Sequence, residues 1–435
     1  MPAPPGKARQ HLGAGAWPKF IFYGSEVDAL APPDSVMAMH GDAECRFCIC
    51  EGGALGVFSE NGCVKAAGAD EPGPVLPRSD EREPSTDFRA AEAVFGDEAR
   101  MLGSLRTAAA QAGPGGLVEF YVGCSPMMLA SDAAAFAEQV GRETGASVWL
   151  DKYCTLGKHS SPKAALRAEF MARKFRAAGR RPDRDANLVY YGSCPPELPR
   201  LLGERGIKAG EPGEAFYTET RRARLQVLSA PDGVLSAAYD KAGLEWTLPP
   251  APYGFAGASA WISAVAKALG RRNVKADPSA EQAAAARELR KKASGLAAGF
   301  VLPAGDVDRL AGGSAFKRVP VPRVLAEGGW ALRFFVLTGG TPDRKAAAAI
   351  KAALPAGAAC EIGFFSDPAA LPRLLRADKA LRLVYSDVRA DGRVAAAGRT
   401  PFSAGIFEPG YDGALETWRR LLELGEWDFN ERYLP

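Results

Sequence analysis

Short apolar runs recur along the chain, each closed by a turn and followed by an alanine-rich amphipathic stretch. Leu117–Val122 (LVEFYV) reads as a strand and Ala133–Thr144 as the helix after it. Ser147–Leu150 and Asn187–Tyr191 (NLVYY) read as the next strands, the second followed by a helix over Pro196–Arg205. Arg224–Leu228 continues the strands and Ala258–Leu269 the helices. Ala298–Leu302, Leu332–Leu337, Glu361–Phe365 and Leu381–Tyr385 are further strands, with helical runs at Asp343–Ala353 and Ala369–Arg376 between them. Strands alternating with helices predict an α/β fold of parallel sheets built from βαβ units. Near-continuous apolar strands fit sheets covered on both faces.

Three breaks interrupt this series. Ala66–Asp87 is rich in proline, glycine and charge and reads as a long surface loop. Gly179–Asp185 (GRRPDRD) and Asn273–Ser279 are the other two. The last two divide the chain into 1–185, 186–275 and 276–435. A chain of 435 residues agrees with about three domains on length alone.

Composition narrows the function classes. With 47% hydrophobic and 24% charged residues, the chain is of ordinary globular make-up and not disordered. The net charge of +3 supplies no basic field, so no nucleic-acid partner is expected. No run approaches the ~18 apolar residues of a membrane span, so no membrane partner is expected either. The opening residues, MPAPPGKARQ, lack an apolar signal core, which points to the reducing cytoplasm and away from disulfides.

In that compartment eight cysteines call for an explanation, and only three histidines accompany them: His11, His40 and His159. The segment His40–Cys50 (HGDAECRFCIC) supplies Cys45, Cys48 and Cys50, and Cys63 follows shortly. Cys124 comes directly after the strand LVEFYV, in VGCSPMM. Carboxyl ends of parallel strands line the binding crevice of an open sheet, so a thiol there faces whatever occupies it. Thiolates are soft ligands suited to iron–sulfur clusters or zinc. Cys45 and Cys48 form one C-x2-C pair with no second pair for a zinc ribbon, and Cys50 breaks ferredoxin spacing. A buried cysteine is also an ordinary small hydrophobe, so spacing alone leaves both readings open for each thiol. Cys154, Cys194 and Cys360 read as structural.

Other chemistry is thin. LGKHS at Leu156–Ser160 lacks the first glycine of a phosphate loop, so ATP hydrolysis by this chain is not expected. No H-E-x-x-H and no G-x-S-x-G elbow is present. His159 reads as a surface residue, and His40 as a support for the cysteine loop.

Several motifs together resemble the component 1 family of nitrogenases and nitrogenase-like reductases. His40-Gly41-Asp42-Ala43-Glu44-Cys45 resembles the family's H-G-x-x-x-C, whose cysteine binds the electron-relay cluster. Ala93-Val94-Phe95-Gly96-Asp97-Glu98 resembles its V-F-G-G/D element. Cys124-Ser125-Pro126, with Ser131-Asp132 after it, resembles the segment carrying the next cluster cysteine. Pro252-Tyr253-Gly254-Phe255, followed by Ser259-Ala260-Trp261, resembles the second-domain P-x-G…T-x-x-W/F motif. Gly410-Tyr411-Asp412-Gly413-Ala414 resembles the C-terminal G-Y-x-G-A. The matches run in order over nearly the whole chain.

There are also departures. Lys7-Ala8-Arg9-Gln10-His11-Leu12-Gly13-Ala14 resembles the beta-subunit K-A-C-x-P-L-G-A, with Arg9 at the cysteine position. Arg224–Trp246 has no cysteine and Thr400–Trp418 no histidine to hold the large catalytic cofactor of the alpha subunit.

The resemblance implies three Rossmann-like domains around a central cleft. It implies a beta-like subunit paired with an alpha-like subunit in a heterotetramer, served by a homodimeric ATP-hydrolysing iron protein. An interfacial iron–sulfur cluster, an eight-iron P-type or a four-iron one, would relay electrons to an active site on the partner. Cys45 and Cys124 are its implied ligands, and Cys48, Cys50 and Cys63 are the candidates for a further one. Among known activities, methylthio-alkane reductase, which cleaves C–S bonds reductively, is the first expectation. A cofactor-assembly scaffold subunit and a tetrapyrrole reductase subunit of the protochlorophyllide or chlorophyllide type stand as alternatives. An α/β solute-binding protein with structural cysteines is the non-redox alternative.

Overall fold

The computed structural model describes residues 35–40, 98–123, 132–152, 163–179, 181–190, 194–212, 216–304, 307, 318–338, 341–385, 394 and 396–426. Their strands form three sheets, in which every pairing is parallel.

The first sheet is built from β1 (Ser35–His40), α1 (Glu98–Ala112), β2 (Leu117–Val122), α2 (Ala133–Thr144) and β3 (Ser147–Lys152), in strand order β1-β2-β3. Alternation along β2 places its two faces in different environments. Val118, Phe120 and Val122 pack with Met101, Leu105 and Val140 of α1 and α2. Leu117 joins a second cluster with α3 (Lys163–Ala177), through Phe170, Met171 and Phe175. Glu119 lies on that same alternation, buried at 3% exposure, and Arg167 of α3 grips both its carboxylate oxygens. A bidentate partner satisfies a carboxylate that would otherwise be costly to bury.

The second sheet follows: β4 (Arg184–Val189), α4 (Glu197–Gly203), β5 (Ala209–Gly210), α5 (Phe216–Thr220), β6 (Ala223–Leu228), α6 (Gly233–Ala242) and β7 (Glu245–Thr247). Its strand order is β5-β4-β6-β7. The sequence pattern places this first strand at Asn187–Tyr191 and leaves Arg184 and Asp185 in a charged break; the strand instead starts at Arg184. Side-chain bonding carries the charge into the sheet. Arg184 reaches the Glu219 carboxylate at 2.6 Å and the Glu211 carbonyl at 3.1 Å. Asn187 and Gln226, paired across β4 and β6, join side chains at 2.9 Å and both donate to the Thr220 carbonyl.

α7 (Gly254–Ala268) and α8 (Ala280–Ala293) lead to the third sheet. It contains β8 (Ala297–Pro303), α9 (Val321–Glu327), β9 (Ala331–Leu337), α10 (Arg344–Ala353), β10 (Cys360–Phe365), α11 (Leu371–Ala377), β11 (Leu381–Tyr385) and β12 (Thr400–Phe402). The order is β10-β9-β8-β11-β12, and α12 (Gly410–Glu426) closes the fold. The central strand β8 is apolar throughout and buried, as expected where helices cover both faces. One continuous core runs from Leu188 and Leu225 of the second sheet, through Trp261 and Ile262, to Phe300, Phe334 and Trp418. Among the described residues, no helix is long and apolar enough to cross a membrane.

Candidate functional site

The five cysteines singled out in the sequence, Cys45, Cys48, Cys50, Cys63 and Cys124, lie outside the described residues, as does Cys154. The strands that lead to them are described. β1 and β2 are parallel neighbours, and His40, the last residue of β1, pairs with Val122, the last of β2. The Gly123 amide donates to the His40 carbonyl at 2.8 Å, which extends the ladder one step further. The chain therefore leaves the two strands side by side on one edge. In sequence, Cys45 follows His40 by five residues and Cys124 follows Gly123 directly. His40 is fully buried, and burial lowers its imidazole from 6.5 to about 4, so it is neutral at pH 7.

Two of the cysteines read as structural, Cys194 and Cys360, are described. Cys194 is 5% exposed in the large core, and burial pushes its thiol well above the ordinary range. Cys360 starts β10, half-buried, with its thiol raised for the same reason. Among the described residues no group of three histidine, cysteine or carboxylate side chains could hold a metal ion.

Two motifs far apart in sequence meet at the junction of the second and third sheets. Tyr253 and Pro409 form an antiparallel bridge, and the Gly410 amide donates to the Pro252 carbonyl at 2.7 Å. Gly254 and Gly410 each open a helix at positive φ, +73° and +93°. A Cβ on Gly254 would overlap the Glu327 carboxylate, and one on Gly410 that of Glu197. The space is kept for helix caps. Glu327, from the end of α9, accepts from the Ala256 amide at 2.9 Å. Glu197, from the start of α4, accepts from the amides of Asp412 and Gly413 at 2.8 and 2.9 Å. Each carboxylate answers the unpaired N–H groups of a helix N-terminus elsewhere in the chain. Burial raises the pKa of both glutamates, against the lowering effect of those amide bonds. Tyr411 bonds Ser259 at 2.8 Å, and Phe255 stacks on Trp418 with ring centroids 5.5 Å apart.

A family profile described as Nitrogenase component 1 type Oxidoreductase matches residues 34–380, most of the chain. The chain belongs to the nitrogenase component 1 family. Solved structures of this family share its fold at low identity. "Nitrogenase Cp1 at pH 5" is 15% identical, with 96% of this chain and 90% of that one covered and a TM-score of 0.57. "Nitrogenase Cp1 at pH 6.5" is 14% identical over 96% and 94%, with a TM-score of 0.54. No curated protein sequence matches the chain significantly.

Within the nitrogenase component 1 fold, the described motif residues have structural work. Asp132 caps α2, accepting from the Ala135 amide at 3.2 Å. Gly254, Phe255, Ser259, Gly410 and Tyr411 build the junction. Sequence reasoning missed both capping glutamates. Neither carries a local signal, because each serves a helix more than 50 residues away in sequence.

Proposed function

We propose that this chain is a beta-like subunit of a nitrogenase-like reductase, holding an iron–sulfur cluster at its interface with an alpha-like subunit. One observation carries the reading: the side-by-side exits of β1 and β2, with Cys45 and Cys124 the first thiols along each. Their donor chemistry suits iron, and the strands arrive at the carboxyl edge where parallel sheets bind ligands. Cys45 and Cys124 would hold the group, with Cys48, Cys50, Cys63 or the partner chain completing the set. Such a cluster supplies reversible one-electron storage at a potential set by burial and hydrogen bonding. The chain's own part would be to lead into the thiol-bearing segments from a parallel sheet, with His40 kept neutral at the end of β1. The reduction favoured is thioether cleavage on the partner subunit, as in methylthio-alkane reductase, with electrons delivered by an ATP-hydrolysing iron protein.

The test begins with the complex purified without oxygen. Iron and the broad visible absorbance of an iron–sulfur cluster are expected, and both should fall in Cys45→Ala and Cys124→Ala. A complex without iron rejects the reading. Thioether-dependent methane release with iron protein and ATP is expected; a complex that holds iron but never turns over is an assembly scaffold instead.

A further inference from the structure

α3 follows the first sheet in the chain but is anchored to elements of the second. Its Phe175 meets Phe216, Tyr217 and Tyr239 with ring centroids 5.7, 5.1 and 5.3 Å away. Lys241 of α6 donates to Glu169 of α3 at 3.0 Å. Arg167, Phe170 and Met171, three and four positions apart, share one side of the helix. The first sheet comes to α3 with three residues of one face. Leu117 and the partly buried Trp149 enter the apolar cluster of Phe170 and Met171. Glu119 stands between them, on the central strand, with Met37 and Trp149 as its register partners.

The apolar part of this contact is indifferent to direction: burial of Leu117 and Trp149 is nearly as favourable after a small slide or rotation. The polar part is not. Arg167 Nε donates to Glu119 Oε1 at 2.6 Å, and Nη2 donates to Oε2. Two parallel bonds from a planar guanidinium to a planar carboxylate fix both a distance and an angle. The pair is out of water, with Arg167 6% and Glu119 3% exposed. A buried ion pair adds little stability over apolar side chains of similar volume, because desolvation offsets the attraction. What such a pair can add is a single arrangement, as one polar residue does for the register of a coiled coil.

We infer that the Arg167–Glu119 fork is an orientation pin, which selects one placement of the first sheet on α3. The second and third sheets share one continuous core, so a pin on α3 orients the first sheet against both. β2 runs on to Gly123, whose amide bonds the His40 carbonyl at the end of β1. The pin therefore also sets where the carboxyl edge of the first sheet sits relative to the other two. It uses none of the cysteines assigned to the cluster and does not depend on that reading.

Pairs of spin labels, introduced as unnatural amino acids into the full chain, read the placement by electron–electron double resonance. Ala134 of α2 and Ala284 of α8, both exposed, report the first sheet against the rest. Ala284 with the exposed Ala348 of α10 is the control, away from the first sheet. Wild type is expected to give one narrow distance distribution for each pair. Arg167→Met with Glu119→Leu removes the fork and leaves apolar side chains in its place. The Ala134–Ala284 distribution is expected to widen roughly twofold in it, with the melting temperature near that of wild type and the control still narrow. Arg167→Lys keeps the charge and loses the planar fork, and is expected to widen the same distribution. A narrow Ala134–Ala284 distribution in either variant, a broad one in wild type, or equal widening of the control would overturn the assignment.

Discussion

The carboxyl edge of the first sheet and the junction between the second and third sheets both carry family motifs, but in different ways. At the first edge the motif residues with chemistry are thiols that follow strand ends, and the strands serve to aim the chain. At the junction, Gly254, Phe255, Ser259, Gly410 and Tyr411 are all spent on packing and capping. The supports differ as well. The junction lies in one continuous core spanning two sheets, whereas the first sheet has a separate core and a buried ion pair to α3. Resemblance over a whole chain therefore does not imply one kind of role: the thiols proposed as ligands and the joint residues are mixed along the same string of motifs.

The largest expected effect separates the two regions by stability. Arg167→Ala removes the two hydrogen bonds that Arg167 donates to the buried Glu119 carboxylate. Such a change costs on the order of 3–5 kcal/mol. Arg167→Ala with Glu119→Leu should recover much of that loss in chemical denaturation, because the buried carboxylate goes with its guanidinium. A single variant as stable as wild type would show that the pair contributes nothing to holding β2 against α3. Next comes Gly410→Ala, which places a methyl group against Glu197 at a positive φ. About 2 kcal/mol is expected, read as a lower melting temperature with iron content unchanged. Cys45→Ala should show the reverse pattern, with iron lost and the metal-free chain's melting temperature unchanged. Iron loss in Gly410→Ala would break the division of roles. Glu197→Ala is smaller, at about 1–2 kcal/mol for the uncapped N-terminus of α12, with Glu197→Gln recovering part of it.

Much of this architecture is legible in the sequence because buried parallel strands are unbroken apolar runs. Leu117–Val122 and Leu381–Tyr385 have the bounds their patterns predict. Arg184 and Asp185 hide the start of β4, since their charges are answered by Glu219, the Lys208 backbone amide and Arg271 from other segments. The opening of α12, GYDGALE, matches a motif in the sequence but shows no cap there, because Glu197 supplies it from another part of the chain. The side-by-side placing of β1 and β2 is not legible in the sequence, because strand pairing is a long-range property.

The smallest expected effect is a pH response of opposite sign in the two regions. Burial lowers His40 from 6.5 to about 4, so the unfolded chain binds a proton that the folded chain refuses. Its contribution to stability is fully present above the unfolded pKa and is lost as pH falls toward 4. Between about pH 7 and 5.5 that is on the order of 1 kcal/mol. Glu197 and Glu327 run the other way. Burial raises them, so the folded chain holds the proton more tightly, and their favourable contribution is present at low pH and lost as pH rises through the folded pKa. His40→Gln should therefore flatten the acid-side loss of stability, while Glu197→Gln with Glu327→Gln should steepen it. Denaturant titrations at a series of pH values read both slopes. Equal slopes in wild type and His40→Gln would mean that the His40 imidazole titrates as it does in the unfolded chain.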